Sequence, residues 1–566
     1  MNKLLKKSKI LLVGTALLGL VSCQRTESTQ TEVIWWNNYQ VPENPDDEKN
    51  KTSSTYKEYY FATNVIKNFE AKHTDIKINM VYKGSYSVIA SEVKNALSTG
   101  GTPNIASSYG DPVAGYYNAG ATLAMDSLMN DKDRGFGKDA IGTLNEKGEL
   151  TETFEDDPDT TLDDMNQAYL KAEKGMYGFA DNKFLSLPYS KSAEVFVINK
   201  SVFDLEGEGK AGIDNYKEDE KADKDLKYTG YKAPVAVSSK KKYSIPTNWT
   251  ELITTARQMK ADFPEAFAKQ KDAQGNFIAV PFVWDSAQNM IISLLENMGI
   301  GYTDGSKTNV ADQMVFYKQK DQVAKLLKQL KEWNDEGLIA TQDQLRITNE
   351  AKGYHEYSSN LFAKGTIFMT ISSTAGARYY SNDGYTASFN KMPTIDNSIY
   401  SEDENNQFTQ TSNKTDFKVI SQGPSLTFFD KGERSNNAAW EFYKYLTNTE
   451  NSATLATKTS YFPIRTSSYN TSAVKELLTA ADKDIKDDTK KADKNNAYSG
   501  DVLKLNQEYT KNDNYFISDV FDKSNDTRTA IGKMIDYVFN TKATAENTVD
   551  QIVSKAIEDA WTAVSK

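Results

Sequence analysis

Thr31-Glu32-Val33-Ile34-Trp35-Trp36 opens the stretch whose reading decides the fold, and Asn37, Asn38 and Tyr39 follow it as a polar loop. The β-branched and aromatic character of the first six residues predicts a buried strand. Downstream the period changes twice. Phe61, Val65, Ile66 and Phe69 share one helix face, and Ile76, Ile78, Met80 and Tyr82 then alternate as a half-buried strand does. Val88, Val93 and Leu97 mark a second helix, halted by Gly100-Gly101-Thr102-Pro103, and Ile105 to Ser108 is a short strand. The order is β-α-β-α-β. Strands that alternate with helices predict a parallel sheet covered on both faces, with ligands bound at loops beyond the strands' carboxyl ends.

Upstream of this unit, Lys3, Lys6, Lys7 and Lys9 precede an apolar run from Ile10 that ends in Leu20-Val21-Ser22-Cys23. A dozen apolar or small residues are too few to span a bilayer of roughly 30 Å, so residues 1 to 22 read as a cleaved signal. Small Ser22 before Cys23 resembles a lipobox. On that reading Cys23 is lipidated, residues 23 to 32 tether the protein, and the mature chain sits on the outer face of the bacterial cytoplasmic membrane. Cys23 is the only cysteine of 566 residues, which leaves no thiol for a disulfide, a metal site or a nucleophile. The net charge of −11 becomes −15 without the four lysines, since 63 basic residues then face 78 acidic ones. Such a chain is a poor partner for nucleic acid, and it meets the membrane through its lipid only. About 535 remaining residues exceed one ordinary core, which predicts at least two lobes.

A second α/β region follows. Leu187-Pro188-Tyr189 leads into the strand-like Glu194 to Ile198, and Asn248 stands as the N-cap of a helix carrying Leu252, Ile253, Ala256 and Met259. Helical stripes recur at Val323, Leu326, Leu327, Leu330 and Trp333, and from Val549 to Ala560. Residues 130–175, 205–243, 395–416 and 479–513 are rich in Asp, Glu, Lys and Asn and read as solvated surface insertions.

Taken together, these segments resemble the extracellular solute-binding protein family 1 of ABC importers, of the maltodextrin and sn-glycerol-3-phosphate type. Phe69-Glu70 with Ile76-Lys77-Ile78 is similar to the family's first helix and second strand. Asn104 to Asp111 with Gly115 to Gly120 is similar to the segment where an Asp reaches the cleft. Leu187-Pro188-Tyr189 and Ile198-Asn199-Lys200 match the crossover. Asn248-Trp249-Thr250-Glu251-Leu252, Phe362 to Met369, Ala438 to Leu446 and Tyr461-Phe462-Pro463-Ile464-Arg465 complete the pattern in the right order. The resemblance implies a bilobal α/β fold of the periplasmic-binding-protein type II, with solute held in a cleft between lobes that close. It places lobe one at 31–188 plus 426–462 and lobe two at 189–425 plus 463–566, hinged near Pro188, Gly423-Pro424 and Pro463. It further implies a monomeric receptor without cofactor that delivers solute to a permease coupled to separate ATPases.

A sugar presents apolar C–H faces and a rim of hydroxyls, so its site needs aromatic rings for stacking and planar polar groups for paired hydrogen bonds. Candidates at strand ends are Trp36 with Asn37, Tyr109 with Asp111, and Trp284 with Asp285; Tyr189 and Tyr461 lie at crossovers. Strand alternation turns one of Trp35 and Trp36 inward. The resemblance puts a stacking aromatic at Trp284, whereas Trp249, Trp333 and Trp440 lie on core helix faces. One departure stands out: where the maltodextrin subgroup has Gly-x-Trp, this chain has Ser372-Ser373-Thr374-Ala375-Gly376. Ser372 and the following backbone N–H groups, with Arg378, Arg465 or Arg528, suit a phosphate or a smaller polyol. The ligand class stays open between a neutral saccharide and a glycerol phosphate. A surface glycoside hydrolase or an adhesin would share the anchor; with His73 and His355 the only histidines, and no thiol, triad chemistry has few ways to form. Asp482-Lys483-Asp484 begins like a calcium loop but lacks its glycine, so no metal is assigned.

Overall fold

The computed structural model describes residues 30–566 except 54, 145–149, 174–182, 204–242, 265, 350–353, 383–384, 397–416 and 487. The signal, Cys23 and most of the 205–243 and 395–416 stretches lie outside the described residues. In chain order the strands are β1 Thr31–Asn37, β2 Ile76–Tyr82, β3 Ile105–Ser108, β4 Lys138–Leu144, β5 Leu150–Asp156, β6 Ser186–Pro188, β7 Glu194–Asn199, β8 Phe282–Trp284, β9 Ile339–Thr341, β10 Ile347–Asn349, β11 Tyr354–His355, β12 Met369–Ser373, β13 Ala387–Asn390, β14 Val419–Ile420, β15 Ser425–Phe428 and β16 Tyr515–Phe516.

Two five-stranded sheets organise the molecule, in the orders β2-β1-β3-β15-β6 and β13-β7-β12-β8-β9. In the first, β1 runs parallel to β2 and β3, as the β-α-β-α-β reading requires, with Trp35 opposite Met80 and Ile105. The sheet is mixed rather than wholly parallel. β15 returns from the second half of the chain to pair antiparallel with β3 and β6, a non-local contact without local signal. The second sheet mixes directions too, with β8 parallel to β12 and β9 and β7 antiparallel to β12 and β13.

Helix formation follows the periodicity. The helix Lys57–Lys72 buries Phe61, Ala62, Val65 and Phe69 against the first sheet. Residues three and four apart meet on one face, so this spacing turns a continuous stripe to the core. Asn248 caps the helix Trp249–Asp262 by accepting from Glu251 N at 2.9 Å, and the Glu251 carboxylate takes the Thr247 N–H at 2.8 Å.

Two of the charged stretches are corrected by the structure. Lys138–Leu144 and Leu150–Asp156 pair antiparallel as β4 and β5, and Ala140 N joins them to the first body by donating to Glu441 Oε2 at 3.3 Å. Residues 491–511 form a helix that buries Tyr498, Val502, Leu503 and Tyr509. Apolar residues spaced among the charges build its core face. Lys494, with almost no exposure, donates to Asn382 O and Tyr385 O at 2.8 and 2.6 Å.

Three chain segments run side by side between the sheets. Ser192 and Gln422 exchange backbone hydrogen bonds of 2.9 Å, Ser190 N donates to Pro424 O at 3.2 Å, and Phe462 N donates to Lys191 O at 2.6 Å. Beyond Pro463 the chain first touches the β1 side again: Arg465 Nε donates to Thr447 O and Nη1 to Thr161 O, both at 2.6 Å. No helix among the described residues is long and apolar enough to cross a membrane.

Candidate functional site

The loops after β1 and β3, the first turn of the Lys57 helix, the turn after β12 and the segment 517–528 converge between the two sheets. A cavity of about 420 Å³ lies here, lined among others by Tyr86, Tyr109 and Asp111 from the first body, Asn289 and Arg528 from the second, and Gln422 from a crossing segment. Arg528 Nε stands 3.9 Å from the Asp111 carboxylate, and its Nη2 is bonded to Asn289 Oδ1. Ser524 Oγ donates to Asp111 O at 2.9 Å and Asn118 Nδ2 to Asp522 Oδ1 at 2.6 Å, so the two bodies meet on this side. Burial raises the Asp111 carboxyl, opposed by Arg528.

Next to this cavity lies a cluster of phenols. Tyr39 and Tyr189 share a hydroxyl hydrogen bond of 2.6 Å, and Tyr86 and Tyr109 meet edge to face at 5.1 Å. Tyr379, from the turn Thr374–Tyr380 behind β12, is 55 % exposed, and Tyr357 is 59 % exposed. Burial raises the hydroxyls of Tyr39, Tyr86, Tyr189, Tyr379 and Tyr461, and the charge of Glu58 adds to it at each. Glu58 is itself raised, chiefly by burial. Beside it, Lys57 Nζ lies 5.4 Å from the centre of the Tyr379 ring, across the gap between the bodies.

The residues expected from sequence divide into those at this gap and those elsewhere. Tyr109, 38 % exposed, and Asp111 line the cavity, and Tyr189 and Tyr461 belong to the phenol cluster. Trp36 is half-buried with Lys83 Nζ 4.2 Å from its ring, while Trp35 is the inward member of the pair. Arg378 stands behind Tyr379; its Nε donates to Ser499 Oγ at 2.9 Å and its Nη2 to Thr457 O.

Four expectations are corrected. Trp284 is wholly buried, stacked on Trp249 at 6.2 Å with Nε1 donating to Glu194 at 2.6 Å. Its strand is flanked by β12 and β9, and its ring packs into the core. Asn37 is also wholly buried and shapes a turn, accepting from Tyr39 N at 2.9 Å. Arg465 is enclosed and committed to two carbonyls. Ser372, 4 % exposed, accepts from Tyr380 Oη at 3.0 Å instead of facing the gap. Asp285 is half-buried behind it, with a carboxyl pushed by burial up to about 7 and Oδ1 unpartnered among the described residues.

Lys57, Glu58, Tyr39, Tyr86, Tyr357 and Tyr379 are the residues that sequence reasoning missed. Tyr56-Lys57-Glu58-Tyr59-Tyr60 carried the available signal, a charged and aromatic helix start on the carboxyl side of the first strand. Among the described residues no group of three or more acidic or histidine side chains is placed to hold a metal ion.

Residues 64–492 match the family described as bacterial extracellular solute-binding protein. The chain belongs to that family. The fold agrees. The GacH receptor of Streptomyces glaucescens, solved unliganded and with acarbose, is similar with a TM-score of 0.57 at 12 % identity, over 95 % of this chain and 99 % of the receptor. A maltose/maltodextrin-binding domain of Bdellovibrio bacteriovorus bound to maltotriose gives 0.53 at 11 % identity, over 95 % and 100 %. UgpB of Mycobacterium tuberculosis, solved with glycerophosphocholine, gives 0.54 at 13 % identity, over 94 % and 98 %. No curated protein matches the sequence. As in those relatives, this solute-binding protein is bilobal, and the gap described above lies between its lobes.

Proposed function

We propose that this solute-binding protein captures a carbohydrate between its lobes and passes it to a membrane permease coupled to separate ATPases, without catalysing a reaction. The reading takes 31–188 plus 426–462 and 189–425 plus 463–566 as the bodies that close, and Cys23 as a lipidated anchor on the outer face of the cytoplasmic membrane. Two acyl chains hold a protein at a membrane where one does so only marginally. The protein acts as a monomer that holds neither metal nor cofactor.

The observation that carries the reading is the group of exposed tyrosines at the gap, with Glu58 on the same side as Lys57. Tyr357, Tyr379 and Tyr109 expose ring surface for sugar C–H faces. Their hydroxyls and the Glu58 carboxylate supply the donors and acceptors that a rim of sugar hydroxyls needs. The phosphorylated-polyol alternative has less support, because Arg465 is enclosed, Arg528 is engaged by Asp111 and Asn289, and Arg378 spends two nitrogens on Ser499 and Thr457.

A thermal-shift screen over mono- and oligosaccharides and glycerol phosphates tests it. A ligand at 100 times Kd stabilises the folded state by about 2.7 kcal/mol, which is readily detected. Shifts with saccharides support the reading. Shifts confined to glycerol phosphates, or turnover of a glycoside, overturn it.

A further inference from the structure

Residues 517–524 join the two bodies by a route separate from the three crossing segments. The segment leaves β16, which pairs with β14 of the second body, and enters the helix Ser524–Asn540, which packs on the helix Ala287–Asn297. Between these ends Asp519 Oδ2 accepts from Gly305 N at 2.8 Å, a further tie to the second body. The next residue turns the other way. Val520, 5 % exposed, belongs to a small apolar cluster with Ile89, Val93, Val113, Ala114 and Tyr116. Every other residue of that cluster comes from 31–188 or 426–462. One side chain of the second body is therefore packed into the apolar interior of the first.

Gly110 makes room for it, since a Cβ at position 110 would lie 3.0 Å from Val520 Cγ2. Polar contacts follow along the same segment. Asn118 Nδ2 donates to Asp522 Oδ1 at 2.6 Å, and Ser524 Oγ donates to Asp111 O at 2.9 Å. Arg528, one helical turn beyond Ser524, is thereby carried to within 3.9 Å of the Asp111 carboxylate, and both side chains line the cavity. Separating the bodies here would return Val520 and the cluster it fills to water and break these hydrogen bonds. Packed interfaces do not stretch by degrees, so such a contact holds or comes apart as a unit.

We infer that residues 517–524 are a strap that keeps the second body fastened to the first before solute arrives, so that Asp111 and Arg528 form a preassembled wall of the site. A preassembled wall reduces the ordering that solute binding has to bring about. Opening of the lobes is then confined to parts of the cleft away from Asp111.

Distance measurement between two nitroxide labels on the unliganded chain 23–566 tests this. One label goes on Lys94→Cys of the first body and the other on Lys533→Cys of the second, with Cys23→Ser removing the native thiol. Lys94 and Lys533 are exposed on the helices Tyr86–Leu97 and Ser524–Asn540. The expected result is a single narrow distance distribution. Val520→Asp, which puts a charge into the apolar cluster, should add a second, longer population. Val520→Ala combined with Asn118→Ala should do the same and serves if the first variant does not fold, which its melting curve reports. A broad or double distribution without these changes, or a single narrow one kept in a folded Val520 variant, overturns the inference. The measurement needs no solute, so a failure to bind any saccharide would overturn the carbohydrate reading and leave the strap standing.

Discussion

Gly423 stands against Ser190 so closely that a Cβ at position 423 would lie 2.2 Å from the Ser190 carbonyl oxygen. Its φ of +95° is also in the region that side chains avoid. Two crossing segments therefore touch backbone to backbone, which lets Ser192 and Gln422 pair. Gly423→Ala should destabilise the protein by about 2 kcal/mol or more. Urea denaturation measures this, and a stability equal to wild type would mean that the contact yields freely.

Lys191 and Glu173 form an enclosed pair at 2.6 Å, with Ser425 Oγ 2.8 Å from Lys191 Nζ and Ser186 bonded to Glu173. Both side chains are at most 5 % exposed. Lys191→Met leaves a buried carboxylate without its cation and should cost about 3–5 kcal/mol. Adding Glu173→Gln should recover most of that loss. A double variant as unstable as the single one would contradict the pairing, and denaturation midpoints provide the comparison.

Trp284 is part of a run of rings in which Trp249 stacks on Trp284 at 6.2 Å and on Trp333 at 5.9 Å. Trp284→Ala should destabilise the second lobe by about 3–5 kcal/mol through the cavity it leaves. Trp284→Phe, which keeps most of the volume, should retain solute affinity within about twofold if the ring only packs. Calorimetry at a temperature where the variant is folded checks this.

Burial pushes Glu194 from the usual 4.5 up to about 7, although Trp284, Ser293 and Asn289 pull it down by hydrogen bonding. Asp285 moves in the same direction. For an acid raised in the folded state, the folded form holds its proton while the unfolded form has lost it. The stability this gives is complete below about 4.5 and is lost as pH rises to about 7. His73, lowered by burial to about 4, acts oppositely between that value and 6.5. Between pH 4.5 and pH 7 the melting temperature of Glu194→Gln should therefore rise relative to that of wild type, and the difference should stay constant above that range. An identical slope in the variant would contradict the shift.

Most of the first sheet was legible in sequence, because β1, the Lys57 helix, β2 and β3 follow one another and their periods change cleanly. β15 and the long helix 491–511 were harder to read. The first joins its sheet only through contacts hundreds of residues away, and the second hides its apolar face among lysines and aspartates. The candidate site divides for a similar reason. Tyr109 and Asp111 follow from strand ends, but Trp284 and Asn37 follow the same rule and are buried, since the direction of a side chain at a strand end depends on what packs above it. Lys57 and Tyr379 meet only because the lobes face each other, and no local pattern records that.

The central claim is that a saccharide is held between the lobes by Glu58 and the exposed tyrosines, and calorimetric titration of wild type, Glu58→Gln and Tyr379→Ala with whichever saccharide gives the largest thermal shift tests it most directly. The account predicts one site per chain in wild type, and affinity lowered at least about tenfold in each variant, equivalent to about 1.4 kcal/mol, with melting temperatures of the unliganded variants unchanged. Unaltered affinity in both variants, or no saccharide that binds the wild-type chain, would contradict it.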